Sequence, residues 1–214
     1  IEAAAKLCAA GKFRNAGQVC ISPTRFFVQD SIHDKFLTLF KKQVEAVKVG
    51  NGLDEDMNMG PLVAERRIEI MDGFVSDAVS KGAELLVGGS SIQSPGSFFA
   101  PTLLQDVPDT ARIMTEEPFG PIAPTARFSS LDEVIDRANS LPFGLAAYAF
   151  TGSARTAGVL KREIEAGMLA INSLHVHSVE TPFGGLKFSG YGHEGGIEGL
   201  EVFLATRYSS EIYG

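Results

Sequence analysis

Strands and helices alternate through the second half of the sequence, and this alternation constrains the fold more than any other feature. Apolar runs at 122–128, 146–150 and 167–172 are separated by segments with helical periodicity at 131–139 and 154–164. A strand followed by a helix and a second strand makes a right-handed crossover between parallel strands. The pattern therefore predicts a doubly wound α/β domain, with a mostly parallel sheet and helices on both faces.

The first half of the sequence fits the same fold class. Residues 2–13 are rich in Ala and predict a helix, and residues 25–28 predict a strand. A helix is predicted from Ser31, whose hydroxyl suits an N-cap. Two apolar faces recur at spacings of three and four and predict buried helix surfaces. They consist of Phe36, Phe40, Val44 and Val47, and of Ile68, Met71, Phe74, Val75 and Ala78.

Charge, hydropathy and cysteine usage limit the partners and the setting. The 214 residues include 26 acidic and 19 basic ones, for a net charge of −7, so nucleic acid is not an expected partner. No stretch reaches the ~20 apolar residues of a membrane helix, so no membrane contact is expected. Two cysteines are too few for a disulfide scaffold, which favours a reduced, cytoplasmic setting. The chain opens on Ile1 in helix-forming sequence, and we expect it to begin within a longer protein.

The last residues of the chain point to a partner subunit. Residues 203–208, Phe-Leu-Ala-Thr-Arg-Tyr, favour a strand, yet no later helix is there to cover it. An exposed strand edge invites pairing with another sheet. We therefore expect residues 203–214 to form an oligomerisation strand, and an edge packed within the same chain is the alternative.

Cys20 lies in a loop suited to nucleophilic chemistry. The sequence before it runs Gly11-Lys12-Phe13-Arg14-Asn15-Ala16-Gly17-Gln18-Val19. A glycine three residues before a thiol lets the backbone approach a ligand closely. Loop N–H groups near a thiolate lower its pKa and can later hold an oxyanion. A lone cysteine is more often a small buried hydrophobe, and Cys8 is interpreted in that way.

Four motifs together resemble the aldehyde dehydrogenase superfamily, and they occur in the order of that family. They are Asn15-Ala16-Gly17-Gln18-Val19-Cys20, Glu116-Glu117-Pro118-Phe119-Gly120-Pro121, residues 139–145 (Asn-Ser-Leu-Pro-Phe-Gly-Leu) and residues 182–190 (Pro-Phe-Gly-Gly-Leu-Lys-Phe-Ser-Gly). The resemblance extends from about Lys6 to the terminal strand.

The resemblance implies a reaction and a set of site residues. Cys20 would attack an aldehyde to form a thiohemiacetal, hydride would pass to NAD or NADP, and water would hydrolyse the resulting thioester to a carboxylic acid. Glu117 would hold the nicotinamide ribose, Phe119 would pack near the ring, and Phe183 would line the substrate channel. Asn172 is expected to order the loop near the thiol.

The same resemblance implies an architecture. Residues 1–202 would be a catalytic domain, and residues 203–214 would join subunits of a homodimer or homotetramer. The general-base glutamate and the second oxyanion donor of the family lie upstream of its cysteine motif and have no counterpart here. We therefore expect the isolated chain to be inactive.

Arg14 carries the prediction of the substrate class. It stands six residues before Cys20, where the succinate-semialdehyde branch of the family binds the distal carboxylate of the substrate. A planar guanidinium suits that group, and a surface ion pair is the alternative. Residues 174–179 would line the channel mouth, where His177 or Ser178 could help hold the carboxylate. The expected substrate is succinic semialdehyde or a similar semialdehyde.

The histidines and Ser22 indicate neither a metal site nor a disulfide. His175 and His177 have no accompanying ligand cluster, so no metal site is expected. His33 and His193 are expected to face solvent. Ser22, two residues after Cys20, leaves no neighbouring cysteine for a disulfide.

Three alternatives to this function remain open. The first is a cysteine hydrolase or acyltransferase, in which a histidine would activate Cys20. The second is a CoA-acylating aldehyde dehydrogenase. The third is a binding protein that keeps the fold without the chemistry.

Overall fold

The helices and strands of the chain follow the predicted alternation closely. The computed structural model describes residues 1–214. The helices are α1 (Glu2–Phe13), α2 (His33–Glu45), α3 (Arg66–Ser80), α4 (Leu131–Asn139), α5 (Ala154–Glu163) and α6 (Glu198–Glu201). The strands are β1 (Phe26–Gln29), β2 (Glu84–Val87), β3 (Thr102–Gln105), β4 (Ile122–Phe128), β5 (Phe143–Gly144), β6 (Ala146–Ala149), β7 (Met168–Ile171) and β8 (Leu186–Lys187).

The strands form a mostly parallel arrangement, which confirms the predicted α/β class. The largest sheet has the order β1-β4-β3-β2, in which β4 runs parallel to both β1 and β3 while β2 is antiparallel to β3. The crossover through α5 makes β6 and β7 a separate parallel pair. Strands β5 and β8 form a short antiparallel pair. The strands are thus divided among three sheets.

Helix starts follow capping chemistry in two cases and depart from the prediction in a third. The hydroxyls of Ser130 and Ser153 accept hydrogen bonds from backbone N–H groups in the first turns of α4 and α5. Ser31 was predicted to cap α2, and this was wrong. A 3₁₀ turn over Asp30–Ile32 precedes the helix, so Ile32 occupies the cap position without a side-chain hydrogen bond.

One core cluster of 28 buried residues is drawn entirely from the region between Ala5 and Ala126. The faces predicted for α2 and α3 supply Phe36, Phe40 and Val44, and Met71, Phe74, Val75 and Ala78. The buried surface of α1 is built largely from small residues. The nucleophile motif therefore begins at the end of a helix that is fixed within the core.

His33 was predicted to face solvent, and this was wrong. Its side chain is 0% exposed, with Nδ1 3.1 Å from a carboxylate oxygen of Asp34 and Nε2 3.6 Å from one of Asp106. Arg127 bridges the same two carboxylates at 2.8 and 3.0 Å. The first residue of α2 is therefore buried against the strand ends rather than exposed at a helix start.

The tail behaves differently from the rest of the chain. Residues 203–214 are exposed and pair with no strand of this chain. A strand needs a hydrogen-bonded neighbour, so the predicted oligomerisation strand does not form within the single chain and its pairing stays a prediction. No helix of the structure has both the length and the apolar character needed to cross a bilayer.

Candidate active site

The segment that leads to Cys20 reverses direction through three left-handed residues. After α1 ends, φ is 50° at Asn15, 54° at Ala16 and 71° at Gly17. Non-glycine residues seldom adopt this conformation unless their surroundings hold them there. Here the side-chain amide of Asn15 donates to the backbone carbonyl of Gln18, and the side-chain amide of Gln18 donates to the backbone carbonyl of Asn15, each at 3.1 Å. These bonds close the turn that presents Cys20.

Gly17 brings the nucleophile turn into contact with the second motif, 116–121. A Cβ atom at Gly17 would lie 2.2 Å from the carbonyl oxygen of Gly120, which is far inside van der Waals contact. Glycine is required here both by the positive φ and by this approach. Two motifs about a hundred residues apart in the sequence thus meet backbone to backbone.

Cys20 and Cys8 lie in opposite environments. The Cys20 side chain is exposed, and its backbone N–H makes no hydrogen bond within the chain. Cys8 is buried on α1, and burial raises the pKa of its thiol to about 12. The thiolate is the reactive form of cysteine, so only Cys20 is placed to act as a nucleophile.

Tyr148, which the sequence reasoning missed, supports the turn from the other side. Its hydroxyl, on β6, donates to the carbonyl of Ile21 at 2.7 Å. Burial raises the pKa of Tyr148 to about 12, and negative charge on Cys20 contributes in the same direction. The phenol therefore stays protonated and keeps its donor role beside the thiol.

Gln18 and Arg67 anchor the two loops to the rest of the domain, and neither was singled out from the sequence. The Gln18 side chain donates to the carbonyl of Pro61 at 3.3 Å and accepts from the N–H of Val63 at 2.8 Å. On α3, Arg67 donates to the carbonyls of Pro118 and Phe119. Both loops are thus tied to the segment that starts α3.

Glu117 and Phe119, the predicted cofactor residues, lie exposed on the loop that Arg67 holds. Phe119 is 36% exposed and adopts a positive φ of 44°. Glu117 makes no ion pair, whereas the neighbouring Glu116 forms a two-point pair with Arg112 at 2.8 and 2.9 Å. That contact holds the pKa of Glu116 below its usual range. The two adjacent glutamates therefore differ, and only Glu117 keeps a free carboxylate.

Lys12 is a buried residue near the end of α1, just before the nucleophile turn. Its side chain is 0% exposed and its Nζ has no hydrogen-bond partner. Burial lowers the pKa of Lys12 to about 7, and the negative charge of Glu117 opposes that shift. Lys12 was not predicted as a site residue, because nothing in the sequence around it indicates that its side chain is buried.

The predicted substrate loop lies against the end of α1. A Cβ atom at Gly11 would lie 2.3 Å from Cδ1 of Leu174, so this loop and the helix that leads to the thiol are in contact. The ring of His177 stacks on that of His175 with centroids 5.8 Å apart, and meets the edge of Phe183 at 6.2 Å. The structure thus brings His177 and Phe183 together.

Arg14, Ser178 and Asn172 differ in how free their polar groups are. Arg14 is exposed and forms no ion pair or hydrogen bond, so its guanidinium is available to a ligand. The Ser178 hydroxyl lies 3.3 Å from that of Thr181 within a local turn. Asn172 makes two hydrogen bonds to the backbone of Thr151, at 2.8 and 2.9 Å, and orders that loop instead of the one that holds the thiol. No three His, Cys, Asp or Glu side chains come together in a way that could hold a metal ion.

Comparison with known proteins identifies the family. A sequence model described as the aldehyde dehydrogenase family matches residues 1–208. The chain belongs to the aldehyde dehydrogenase family. This confirms the resemblance read from the four motifs.

Relatives within the family each match more than nine tenths of this chain. A putative 4-(hydroxymethyl)benzenesulfonate dehydrogenase of Comamonas testosteroni is 45% identical over 197 residues, which are 92% of this chain and 41% of that protein. A succinate-semialdehyde dehydrogenase [NADP(+)] of Escherichia coli is 39% identical over 199 residues, or 93% and 41% of the two chains. The crystal structure of an NAD-dependent aldehyde dehydrogenase from Sinorhizobium meliloti matches with a TM-score of 0.90 at 37% identity, covering 94% and 40%. This aldehyde dehydrogenase chain spans about two fifths of the length of these relatives.

Proposed function

We propose that this chain is the catalytic part of an NAD(P)-dependent aldehyde dehydrogenase in which Cys20 is the nucleophile. The observation that carries the proposal is the exposed Cys20 thiol on a left-handed turn that packs directly on the loop of Glu117 and Phe119. The complete enzyme would join this chain, which covers 41% of the E. coli relative, to a part that supplies the remaining length.

The proposed chemistry uses groups that the turn places together. The Cys20 thiolate adds to the aldehyde carbon and forms a C–S bond, while the carbonyl π electrons move to oxygen. The free backbone N–H of Cys20 is one donor to that oxyanion. After the same carbon has given up a hydride to the cofactor, water adds to the carbon of the resulting thioester, the C–S bond breaks, and the products are a carboxylic acid and the Cys20 thiol.

The residues on the second loop suit a nicotinamide cofactor. Glu117 offers a free carboxylate that can accept from two ribose hydroxyls, and Phe119 offers an exposed ring face. When bound, the cofactor supplies the hydride acceptor that turns the thiohemiacetal into a thioester. Lys12 places an orphaned buried ammonium close enough for the charge of Glu117 to act on it, which is typical of a site that another group completes.

For the substrate, we propose an aldehyde that carries an anionic group, such as succinic semialdehyde. The unpaired guanidinium of Arg14 supports this, since it stands at the start of the nucleophile turn with no internal carboxylate to bind. The His177 and Phe183 rings would form a wall of the channel. Ser178 has less to offer, because its hydroxyl is already engaged with Thr181.

The nucleophile is tested by Cys20→Ala and Cys8→Ala in the complete enzyme. Formation of reduced cofactor with succinic semialdehyde should fall about a thousand-fold or more in Cys20→Ala, because no covalent intermediate can form. Cys8→Ala should turn over within a few-fold of wild type. Normal turnover by Cys20→Ala would refute the assignment, and product analysis with and without CoA would separate hydrolysis from acyl transfer to CoA.

The substrate class is tested by comparing succinic semialdehyde with an uncharged aldehyde of equal length. Arg14→Gln should raise the KM for the charged aldehyde roughly a hundred-fold, the size of a lost two-point charge-assisted contact, and should leave the KM for the uncharged aldehyde unchanged. A carboxylate preference that survives Arg14→Gln would remove Arg14 from the substrate site. Ester hydrolysis at Cys20 without oxidation of any aldehyde would favour the hydrolase instead.

A further inference from the structure

The burial of Lys12 destabilises the folded protein, and no hydrogen bond or ion pair offsets this cost. A charged group removed from water is normally paired or hydrogen-bonded, and an unpaired one destabilises the folded state. The Lys12 ammonium is fully buried and has no acceptor. Buried ionisable groups without a partner are typical of functional sites, where activity requires them despite the loss of stability. This residue therefore has a function other than packing.

The surroundings of Lys12 show which function fits. Its carbonyl oxygen accepts from the Ser22 hydroxyl at 3.4 Å and lies 3.2 Å from the Cβ position of Gly17. Gly17 in turn packs on Gly120, in the loop that carries Glu117. The backbone of Lys12 is thus packed where the two active-site loops meet, and Glu117 is the carboxylate whose charge acts on its buried ammonium.

We propose that Lys12 is a positioning residue for the cofactor, whose ammonium pairs with the Glu117 carboxylate and holds it in the orientation that binds the ribose. This rests on the proposed function, in which Glu117 binds the nicotinamide ribose. Glu117 is exposed and unpaired, so its side chain is otherwise free to rotate away. Because Lys12 is buried and Glu117 is exposed, the ammonium would approach the carboxylate from the protein interior and leave its outer lone pairs to the ribose hydroxyls. The two groups make no hydrogen bond in this structure, so the pair would form as the cofactor binds.

The test is Lys12→Met in the complete enzyme, with Lys6→Met as the matched control on the exposed side of the same helix. Met keeps the length and apolar character of the buried stem while removing the charge. The dissociation constant of the reduced cofactor, measured from its fluorescence on binding, should rise roughly ten-fold, the effect of losing one charge-assisted contact. The KM for the aldehyde should not change, Tm should not fall, and Lys6→Met should match wild type. An unchanged dissociation constant in Lys12→Met would overturn the proposal.

A double-mutant cycle with Glu117→Gln separates positioning from a general structural effect. If Lys12 acts through Glu117, adding Lys12→Met to Glu117→Gln should change cofactor binding less than two-fold, because the partner is already lost. A full ten-fold loss in both backgrounds would show that Lys12 acts through another group, and the proposal would be wrong. Full activity of Cys20→Ala, or normal cofactor binding by Glu117→Gln, would instead refute the proposed function itself.

Discussion

Two regions of the chain differ in how completely they are packed. Between Ala5 and Ala126, α1, α2, α3 and the main sheet enclose one continuous core. Toward the end of the chain, Val179, Tyr191, Phe203 and Tyr208 are 84–96% exposed. A contiguous apolar patch on a surface is typical of a site that another molecule covers. The chain therefore buries its own apolar side chains between Ala5 and Ala126, which we call the packed region. It leaves large apolar side chains exposed toward its end, which we call the open region.

The difference matches the roles proposed for the two regions. The nucleophile turn and the cofactor loop are both anchored on the packed region, through Gln18 and Arg67. The substrate loop and the tail belong to the open region. Bond formation requires fixed geometry, whereas substrate selection and subunit association use surfaces completed by another molecule. Perturbations in the two regions should therefore have different consequences.

The largest effect is expected from Gly17→Ala, which strikes the packed region where the two loops meet. The new methyl group would collide with the carbonyl of Gly120, and a φ of +71° is strained for alanine. Stability should fall by about 3 kcal/mol or more. Displacement of Cys20 by about 1 Å should lower kcat about a hundred-fold. Thermal unfolding and steady-state kinetics of the complete enzyme measure both effects.

Gly52→Ala is the matched control, because a Cβ atom there would meet nothing within 4 Å. Its stability should stay within about 0.5 kcal/mol of wild type. Wild-type Tm and turnover in Gly17→Ala would contradict the view that the loop contact fixes the nucleophile.

The next largest effect is a pH dependence that originates in the same packed region. Burial lowers the pKa of Lys12 to about 7 in the folded state, whereas the unfolded chain keeps its usual value of 10.5. Below pH 7 the ammonium is charged in both states, so the folded state bears the whole cost of burying it. Between pH 7 and 10 the unfolded state binds more protons, and stability rises with pH. Lys12→Met should thus stabilise the protein most at pH 6, by a few kcal/mol, and least at pH 9.

The measurement is the Tm difference between Lys12→Met and wild type across that pH range. Lys6→Met serves as the control, because Lys6 is exposed and its effect should not vary with pH. A Lys12→Met difference that is the same at pH 6 and pH 9 would mean that Lys12 is not a buried titrating group.

The same comparison explains how far the sequence predicts the structure. The bounds of β4 and α4 were predicted to the residue, since hydrophobic periodicity is a local signal. The left-handed Asn15 and Ala16 were not predicted, because Ala rarely adopts positive φ and no local pattern marks Asn15 as left-handed. Their conformation is imposed by Gln18 and by the loop of Gly120.

Contacts between distant segments left the weakest trace in the sequence. Tyr148 bonds to Ile21 across 127 residues, and Arg67 reaches Phe119 across 52, with no pattern that pairs them. The family motifs contain Cys20 and Glu117, but Tyr148 and Arg67, which hold their loops, lie outside those motifs. His33 was misplaced for the same reason, since its burial depends on Asp106 and Arg127.

The smallest effect on the stability of the fold is expected from Phe203→Ser, in the open region. Phe203 is 84% exposed, so its loss should change the stability of a separate subunit by less than about 0.5 kcal/mol. Phe40→Ser is the matched substitution in the packed region. Phe40 is 0% exposed, and removing its ring should cost about 3–5 kcal/mol. Thermal unfolding at high dilution compares the two variants.

Assembly should respond in the opposite sense. If residues 203–214 pair with another subunit, Phe203→Ser should make the assembly dissociate more easily. In sedimentation, the apparent mass of the complete enzyme should then fall at a dilution at which the wild-type assembly stays intact. The cause would be that an apolar side chain buried only in the assembly has been replaced by a polar one. An unchanged sedimentation profile at every concentration would show that the tail does not hold the subunits together. A large fall in Tm for the separate subunit would show that the tail packs on its own chain, and the contrast between the two regions would then be wrong.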